Sequence, residues 1–156
     1  MFDTIHIWLP SERSGKIDLN LFIQNLEKTE EIKSEFGEYK IRGKLRQNLN
    51  VLFTSNGISI KGSLAKYFIG NNLKTLTREE IKTAIQKIGN DLSIPILKAK
   101  LTRIDIGFNM SMEYEPRYYF NGLGEKSRMH RSIVDPTSLY YKNGSKVLNF
   151  YAMTRI

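Results

Sequence analysis

The sequence of 156 residues contains no cysteine, a single tryptophan and only two histidines. Without cysteine, the chain has no disulfide, no thiolate metal site and no thiol nucleophile, which fits the reducing interior of a cell. His6 and His130 lie at opposite ends of the sequence and form no local metal-binding pair. Phosphate-cradling glycine loops and the Gly-x-Ser-x-Gly nucleophile elbow are absent as well.

Long apolar runs are also missing, so the sequence predicts no membrane-spanning segment. Residues 1–9 have the pattern of a strand and not the basic, then apolar, start of a signal peptide. Hydrophobic residues make up 40% and charged residues 26% of the chain, as in ordinary soluble proteins. We therefore expect residues 1–156 to form one globular domain in the cytoplasm.

Positive charge is the clearest surplus in the composition. The formal net charge is +8, from 24 lysine and arginine residues against 16 aspartate and glutamate residues. Much of this charge falls into three groups, which are Lys40, Arg42, Lys44 and Arg46, then Lys98, Lys100 and Arg103, and finally Lys126, Arg128 and Arg131. Such a surface displaces counterions from a phosphate backbone, so DNA or RNA is the predicted partner. The alternative is a basic protein whose charge serves only solubility.

The hydrophobic pattern predicts an α+β fold, with a largely antiparallel sheet and two principal helices packed on one of its faces. Two Asn-Gly turns, at residues 56–57 and 143–144, predict β-hairpins over residues 50–61 and 137–151. Asp18 is the predicted cap of the first helix, with a charged side that reaches Glu35. Thr77 and Glu80 form a capping box before the second helix. The remaining predicted elements are strands over residues 2–9 and 38–46 and short helices over residues 64–69 and 115–124.

Residues 101–110 alternate strictly, as in a half-buried strand. The apolar side, predicted to face the core, holds Thr102, Ile104, Ile106, Phe108 and Met110. The other side carries Arg103, Asp105 and Asn109, together with Leu101 and Gly107. Arg103 could bind phosphate and Asp105 a divalent cation, or the two could form a merely structural ion pair.

Aromatic side chains lie next to, or within a few residues of, many of the basic ones. The tyrosines in this setting are Tyr39, Tyr67, Tyr118, Tyr119, Tyr140 and Tyr151. A surface that binds a single nucleic-acid strand needs aromatic rings that stack on the bases and cations that bind the phosphates. Most aromatic rings of a protein, however, belong to its core.

Three segments in a fixed order resemble a known family. They are GSLAKYFIGNN at residues 62–72 with LTR at 76–78, TRID at 102–105, and SLYYKNG at 138–144 leading to FY at 150–151. The chain resembles, over nearly its whole length, the N-terminal part of replication initiators of the filamentous-phage gene II/X type. Those proteins nick one DNA strand with a tyrosine and a divalent metal.

The resemblance implies a metal ligand at Asp105 and DNA contacts at Arg103, Lys61 and Lys66. This chain also departs from the family pattern. The family's last hairpin runs into Tyr-Asp-Lys and then a glutamate, whereas Tyr151 here is followed by Ala-Met-Thr-Arg-Ile. One carboxylate alone holds Mg²⁺ weakly, so Mg²⁺ or Mn²⁺ is expected only if the chain is active. No tyrosine is singled out as the nucleophile.

The preferred hypothesis is a non-catalytic protein of a phage or mobile element, at work in a bacterial host. It would bind single-stranded DNA or RNA, or a host nucleoprotein such as an RNA-guided, CRISPR-type defence nuclease. The second hypothesis is an active, metal-dependent rolling-circle nickase. The third is an interaction protein that uses an apolar hairpin edge. The sequence leaves the oligomeric state open.

Overall fold

The computed structural model describes residues 2–33, 38–46, 48–71, 74–107, 113–135 and 138–151. They belong to two compact units, residues 1–108 and 109–156, and each unit is described by itself. The predicted fold class is confirmed, because antiparallel strands and short helices make up both units. The prediction that the whole chain acts as a single domain stays a prediction.

The first unit is built on a six-stranded antiparallel sheet. Its strands are β1 (Phe2–Pro10), β2 (Glu27–Lys33), β3 (Tyr39–Leu45), β4 (Leu49–Thr54), β5 (Gly57–Ser63) and β6 (Lys100–Ile106). Their order across the sheet is β2-β3-β4-β5-β1-β6. The predicted hairpin around Gly57 joins β4 to β5, and its register places Val51 opposite Ile60 and Phe53 opposite Ile58.

Three of the four α-helices described in this unit begin where the sequence provides a side-chain cap. The four helices are α1 (Ser11–Ser14), α2 (Leu19–Gln24), α3 (Leu64–Ile69) and α4 (Arg78–Leu92), followed by a 3₁₀ turn over Ile96–Lys98. The Asp18 carboxylate accepts hydrogen bonds from two backbone amides of α2, and the Ser63 hydroxyl accepts one from Lys66. Thr77 and Glu80 form both bonds of the predicted capping box.

The core lies on one face of this sheet. Alternate residues of the strands, among them Ile7 and Ile60, are buried in one apolar cluster. Phe22 of α2, Leu64 of α3 and Ile88 of α4 are buried in the same cluster. The helices therefore cover the face of the sheet that carries these side chains, as the sequence predicted.

Two predictions within this unit are wrong. The first helix does not reach Glu35: α2 ends at Gln24, and the next residues form β2, which pairs with β3. Glutamate and lysine favour helices, but the hydrogen bonds offered by the edge of the sheet outweigh that local preference. Glu35 itself lies outside the described residues.

The predicted burial of the apolar side of residues 101–110 is the second error. β6 is an edge strand, and Ile104 and Ile106 remain 43% and 68% exposed. Register shifts interrupt the strict alternation, so Leu101 pairs with Ile7 while Arg103 pairs with His6. Phe108, Asn109 and Met110 lie outside the described residues.

The second unit contains α5 (Pro116–Gly122) and the strands β7 (His130–Asp135), β8 (Ser138–Asn143) and β9 (Lys146–Tyr151), which form a sheet in that order. Phe120, Leu139 and Tyr141 are its buried core. The second Asn-Gly hairpin, β8 to β9, is confirmed. His130 begins β7, whose backbone pairs with β8.

Candidate nucleic-acid interface

The face of the six-stranded sheet opposite the core, called here the open face, is polar and basic. The strand registers place on it Thr4, His6 and Trp8 of β1, Lys40, Arg42 and Lys44 of β3, Asn50, Leu52 and Thr54 of β4, Ser59, Lys61 and Ser63 of β5, and Lys100, Arg103 and Asp105 of β6. Every one of these side chains is half-buried or exposed. This face is therefore accessible while its reverse is occupied by the core.

Side chains of the open face form rows across the strands. One row runs through Arg103, His6, Lys61, Asn50 and Lys44, and the next through Lys100, Trp8, Ser59, Leu52 and Arg42. Each row has a cation on β6 and another on β3, carries one aromatic ring from β1, and continues beyond β3 to a glutamate of β2. Because neighbouring strands lie about 4.8 Å apart, a five-strand row is about 19 Å long. This is enough for an extended strand of a few nucleotides.

Four of the six cations of the open face form no ion pair among the described residues. They are Arg42, Lys44, Lys61 and Lys100. Lys40 is paired with Glu38 at 2.6 Å, and this pair lowers the pKa of the glutamate. Glu30 and Glu27 of β2 stand opposite Arg42 and Lys44 in register but form no ion pair with them. The open face therefore keeps an excess of positive charge.

Asp105, the candidate metal ligand, is bound to Arg103. Its two carboxylate oxygens accept hydrogen bonds of 2.8 Å from Nε and a terminal nitrogen of the guanidinium group, which raises the pKa of Arg103. Among the described residues, no three histidine, cysteine, aspartate or glutamate side chains cluster as metal ligands would. A divalent cation needs several oxygen ligands, and the Asp105 carboxylate is already bound to Arg103. The structure thus describes Asp105 as the ion-pair partner of Arg103, and its role as a metal ligand stays a prediction.

His6 and Trp8 are aromatic side chains that the structure describes on the open face, and the sequence reasoning did not assign them to the site. His6 Nε2 lies 2.8 Å from the Ser59 hydroxyl, and Trp8 pairs with Ser59 and Lys100 in the strand registers. The signal in the sequence that could have placed both side chains on one face is the alternation of residues 4, 6 and 8 in a predicted strand. Both rings lie on β1, between the strand that carries Lys61 and the strand that carries Lys100 and Arg103.

The tyrosines that the sequence suggested for stacking lie elsewhere in this unit. Tyr39 packs against the core, where burial, followed by a hydrogen bond to Glu31, raises its pKa. Tyr67 is buried, and its hydroxyl donates a 2.7 Å hydrogen bond to Asp91. Neither ring is available for a base to stack on.

Arg46 is separated from the other cations of its group. β3 ends at Leu45, and Arg46 has a left-handed backbone with φ of 51°, which breaks the alternation. Its Nε donates a 3.2 Å hydrogen bond to Asp91 of α4, and its guanidinium lies 5.9 Å from the centre of the Tyr67 ring. It is therefore part of the helical layer.

Two further candidates belong to elements outside the sheet. Lys66 is exposed on α3, where its backbone carbonyl accepts a hydrogen bond from the Asn48 side chain. Lys98 is exposed in the 3₁₀ turn. The structure does not bring them onto the open face.

In the second unit, Lys126 and Arg128 are exposed in the segment between α5 and β7. Arg131 has a structural role instead. Its guanidinium donates hydrogen bonds of 2.9 and 3.0 Å to the carbonyls of Phe120 and Leu123, at the C-terminal end of α5. Carbonyls at the end of a helix lack the full set of helical hydrogen bonds, so the arginine stabilises the end of α5.

Comparison with known proteins places the chain in a family. The family model for the N-terminal region of the phage replication-associated protein of the gene II type matches residues 1–154. The chain therefore belongs to this family and is a replication-related phage protein. No curated protein and no solved structure matches it at a significant level. Within the described residues, no helix is long and apolar enough to cross a membrane.

Proposed function

We propose that this member of the phage replication-associated protein family binds single-stranded nucleic acid on the open face and does not cut it. The observation that supports this most directly is the set of four cations, without ion pairs among the described residues, that lie in the same two cross-strand rows as Trp8 and His6. Cations attract the phosphates of any strand, and a half-exposed ring stacks on any base.

A single strand fits the open face better than a duplex does. The ring and charge pattern lies on a sheet surface, whereas Lys82 and Lys87 of α4, the longest described helix, are paired with Glu79 and Asp91. Exposed aromatic rings on a sheet serve unstacked bases, which a duplex does not offer. The same surface would accept DNA or RNA. Its cations bind phosphates and its rings stack on bases, both of which the two nucleic acids share, and none of these side chains is assigned to the sugar.

The absence of cutting is supported by two observations. Asp105 is bound by Arg103 through both of its carboxylate oxygens, so the guanidinium group already occupies the candidate metal ligand. The open face, as the described residues define it, also carries no tyrosine that could attack a phosphate. A nicking initiator needs both a metal-activated phosphate and such a nucleophile.

The target of such a protein in a bacterial host would be a replication intermediate or a nucleoprotein that exposes a single strand. An RNA-guided defence nuclease is one nucleoprotein of this kind, since its guide is partly exposed before target binding. A phage protein that occupies the guide would prevent target recognition in the host cytoplasm. The direct readout is target cleavage by such a nuclease with and without this protein.

The first test is direct binding. The purified chain is mixed with 3′-labelled single-stranded DNA or RNA, with and without Mn²⁺, and each sample is run on a native and on a denaturing gel. We expect a native shift that disappears on denaturation and does not require metal. The double variant Lys44→Ala and Lys61→Ala should weaken the shift, whereas the matched variant Lys74→Ala and Lys82→Ala, away from the open face, should not.

Two outcomes would overturn the proposal. A metal-dependent band that survives denaturation would identify a covalent phosphotyrosine intermediate and hence an active nickase. No shift at moderate salt with any oligonucleotide or nucleoprotein would remove nucleic acid as the partner. An apolar hairpin edge that binds protein would then be the remaining hypothesis.

A further inference from the structure

We propose that two copies of this chain pair through the outer edge of β6, so that the two open faces form one continuous surface. β6 is the last strand of the six-stranded sheet, and no described strand pairs with its outer side. Three large apolar side chains of this strand remain exposed: Leu101 at 56%, Ile104 at 43% and Ile106 at 68%. A long edge strand with exposed apolar residues is a template for pairing with another strand.

The other edge of the sheet is protected against such pairing. β2 has the sequence EKTEEIK, in which five of seven residues are charged, and a register shift interrupts its pairing with β3 between Glu27 and Glu30. Lys28 has a left-handed backbone there, with φ of 52°. Charges and irregular backbone are common means of blocking an edge. Of the two edges, β6 therefore remains the one suited to a partner.

The charges of β6 indicate that the partner is a second copy. Two copies of one strand that pair in antiparallel fashion are related by a two-fold axis. If residue i of the first copy lies opposite residue j of the second, then residue j of the first lies opposite residue i of the second. With Ile104 opposite Ile104, Arg103 of each copy faces Asp105 of the other. In this register both Arg103–Asp105 ion pairs form between the two chains. The exposed Ile104 side chains of the two copies meet on the face of the sheet opposite the cations.

Neighbouring registers that keep the open faces on the same side are disfavoured. Centring the pair on Arg103 places two guanidinium groups opposite each other, and centring it on Asp105 places two carboxylates together. Like charges directly opposite each other destabilise a strand pair. The order Arg103, Ile104, Asp105 therefore favours the register centred on Ile104, with a second copy of this chain as the partner. In the monomer the same two side chains bind each other within one strand, at 2.8 Å, so forming the dimer leaves neither charge unpaired.

The test uses two complementary variants. Arg103→Asp gives a strand that has only acidic groups at these two positions, and Asp105→Arg gives one that has only basic groups. Neither variant can form the ion pair within its own chain, and each repels its own copy. Mixed together, they restore both ion pairs across the interface. Sedimentation velocity over a wide concentration range measures the dimer constant of each sample, and circular dichroism verifies folding.

We expect the wild-type chain to dimerise at high concentration, each variant alone to do so at least about tenfold more weakly, and the mixture to recover the wild-type constant. Lys82→Asp on α4 carries the same change of charge away from the edge and should leave the constant unchanged. A wild-type chain that stays monomeric, or single variants that dimerise as well as the wild type, would overturn the proposal. Because the assay contains no nucleic acid, its result is independent of the proposed binding function.

Discussion

The Tyr67 hydroxyl donates a 2.7 Å hydrogen bond to Oδ2 of Asp91, and this contact links α3 to α4. Asp91 also accepts a hydrogen bond from Lys87 at 3.0 Å and one from Arg46 at 3.2 Å. One carboxylate thus connects the end of β3 with both helices. A residue of the predicted nucleic-acid group, Arg46, has here the role of a structural contact.

The first prediction concerns the stability of this cluster. Asp91→Ala leaves the buried Tyr67 hydroxyl without its hydrogen-bond acceptor. It also removes the negative charge that Lys87 and Arg46 share. We expect the free energy of unfolding to fall by about 1–3 kcal/mol, measured by urea denaturation. Glu79→Ala removes an exposed ion pair with Lys82 and should cost less than about 1 kcal/mol. Equal losses in the two variants would contradict the role assigned to Asp91.

The same cluster predicts a dependence of stability on pH. Burial by itself raises the pKa of Asp91, but the hydrogen bonds from Tyr67 and Lys87 and the nearby cations outweigh it, so the pKa is lowered from 3.8. A lowered pKa in the folded state contributes stability above the unfolded pKa, and this is lost as the pH falls through the folded pKa. The stability difference between the wild type and Asp91→Asn should therefore shrink below about pH 4. A difference that stays constant into this range would contradict the assignment.

Gly62 provides a prediction about the motif GSLAKYFIGNN. Its φ is +154°, and a Cβ atom at this position would overlap the backbone oxygen of Asn48. Gly62→Ala should therefore destabilise the fold by about 2 kcal/mol or more, by thermal or urea unfolding. Gly124→Ala, where nothing lies within 4 Å, should change the stability by less than about 0.5 kcal/mol. With Ser63 as the cap of α3, the start of this family motif is structural.

Local signals predicted most of the fold because they act over a few residues. The Asn-Gly turns, the capping box at Thr77 and the cap at Asp18 each determine a structure from their own neighbourhood. β2 could not be predicted in this way, because Glu27–Lys33 is a strand only where β3 offers its edge. β7 was missed for the same reason, since its partner strand follows later in the chain.

The candidate site was predictable only as far as strand alternation holds. It grouped Lys40, Arg42 and Lys44, and the structure places these three on the open face, while their contact with nucleic acid stays a prediction. Arg46 continues the spacing in the sequence, but its backbone leaves the strand, which no periodicity reveals. Trp8 lies far before Lys100 in the sequence, and only the order of strands in the sheet makes the two neighbours.

Trp8 allows the proposed stacking to be tested by fluorescence, since it is the only tryptophan in the chain. Binding of single-stranded oligonucleotide should quench its emission if a base stacks on the ring. Trp8→Ala should weaken binding by about 1–3 kcal/mol, the value of one stacked base, without changing the salt dependence. Trp8→Phe should retain most of the affinity. Unchanged emission at saturating oligonucleotide would show that the ring does not contact a base.

Arg42 and Arg46 form the sharpest comparison, because they have the same chemistry and belong to one alternating run of the sequence. Arg42 is exposed on the open face without an ion pair among the described residues, whereas Arg46 is bound to Asp91. Arg42→Ala should therefore reduce the slope of log K against log salt by about 0.7 for a single strand, since one phosphate contact is lost. Arg46→Ala should leave that slope unchanged and lower the free energy of unfolding by less than about 1 kcal/mol.

The two arginine variants distinguish a specific surface from a general effect of charge, because both reduce the net charge by the same amount. Binding driven by net charge alone would respond equally to Arg42→Ala and Arg46→Ala. Binding on the open face responds only to the first, and it should weaken further when Arg42→Ala is combined with Lys61→Ala from the same face. A salt titration of the wild type and these three variants with one oligonucleotide decides between these cases. Equal slopes for Arg42→Ala and Arg46→Ala would assign the positive charge to solubility and not to a binding site.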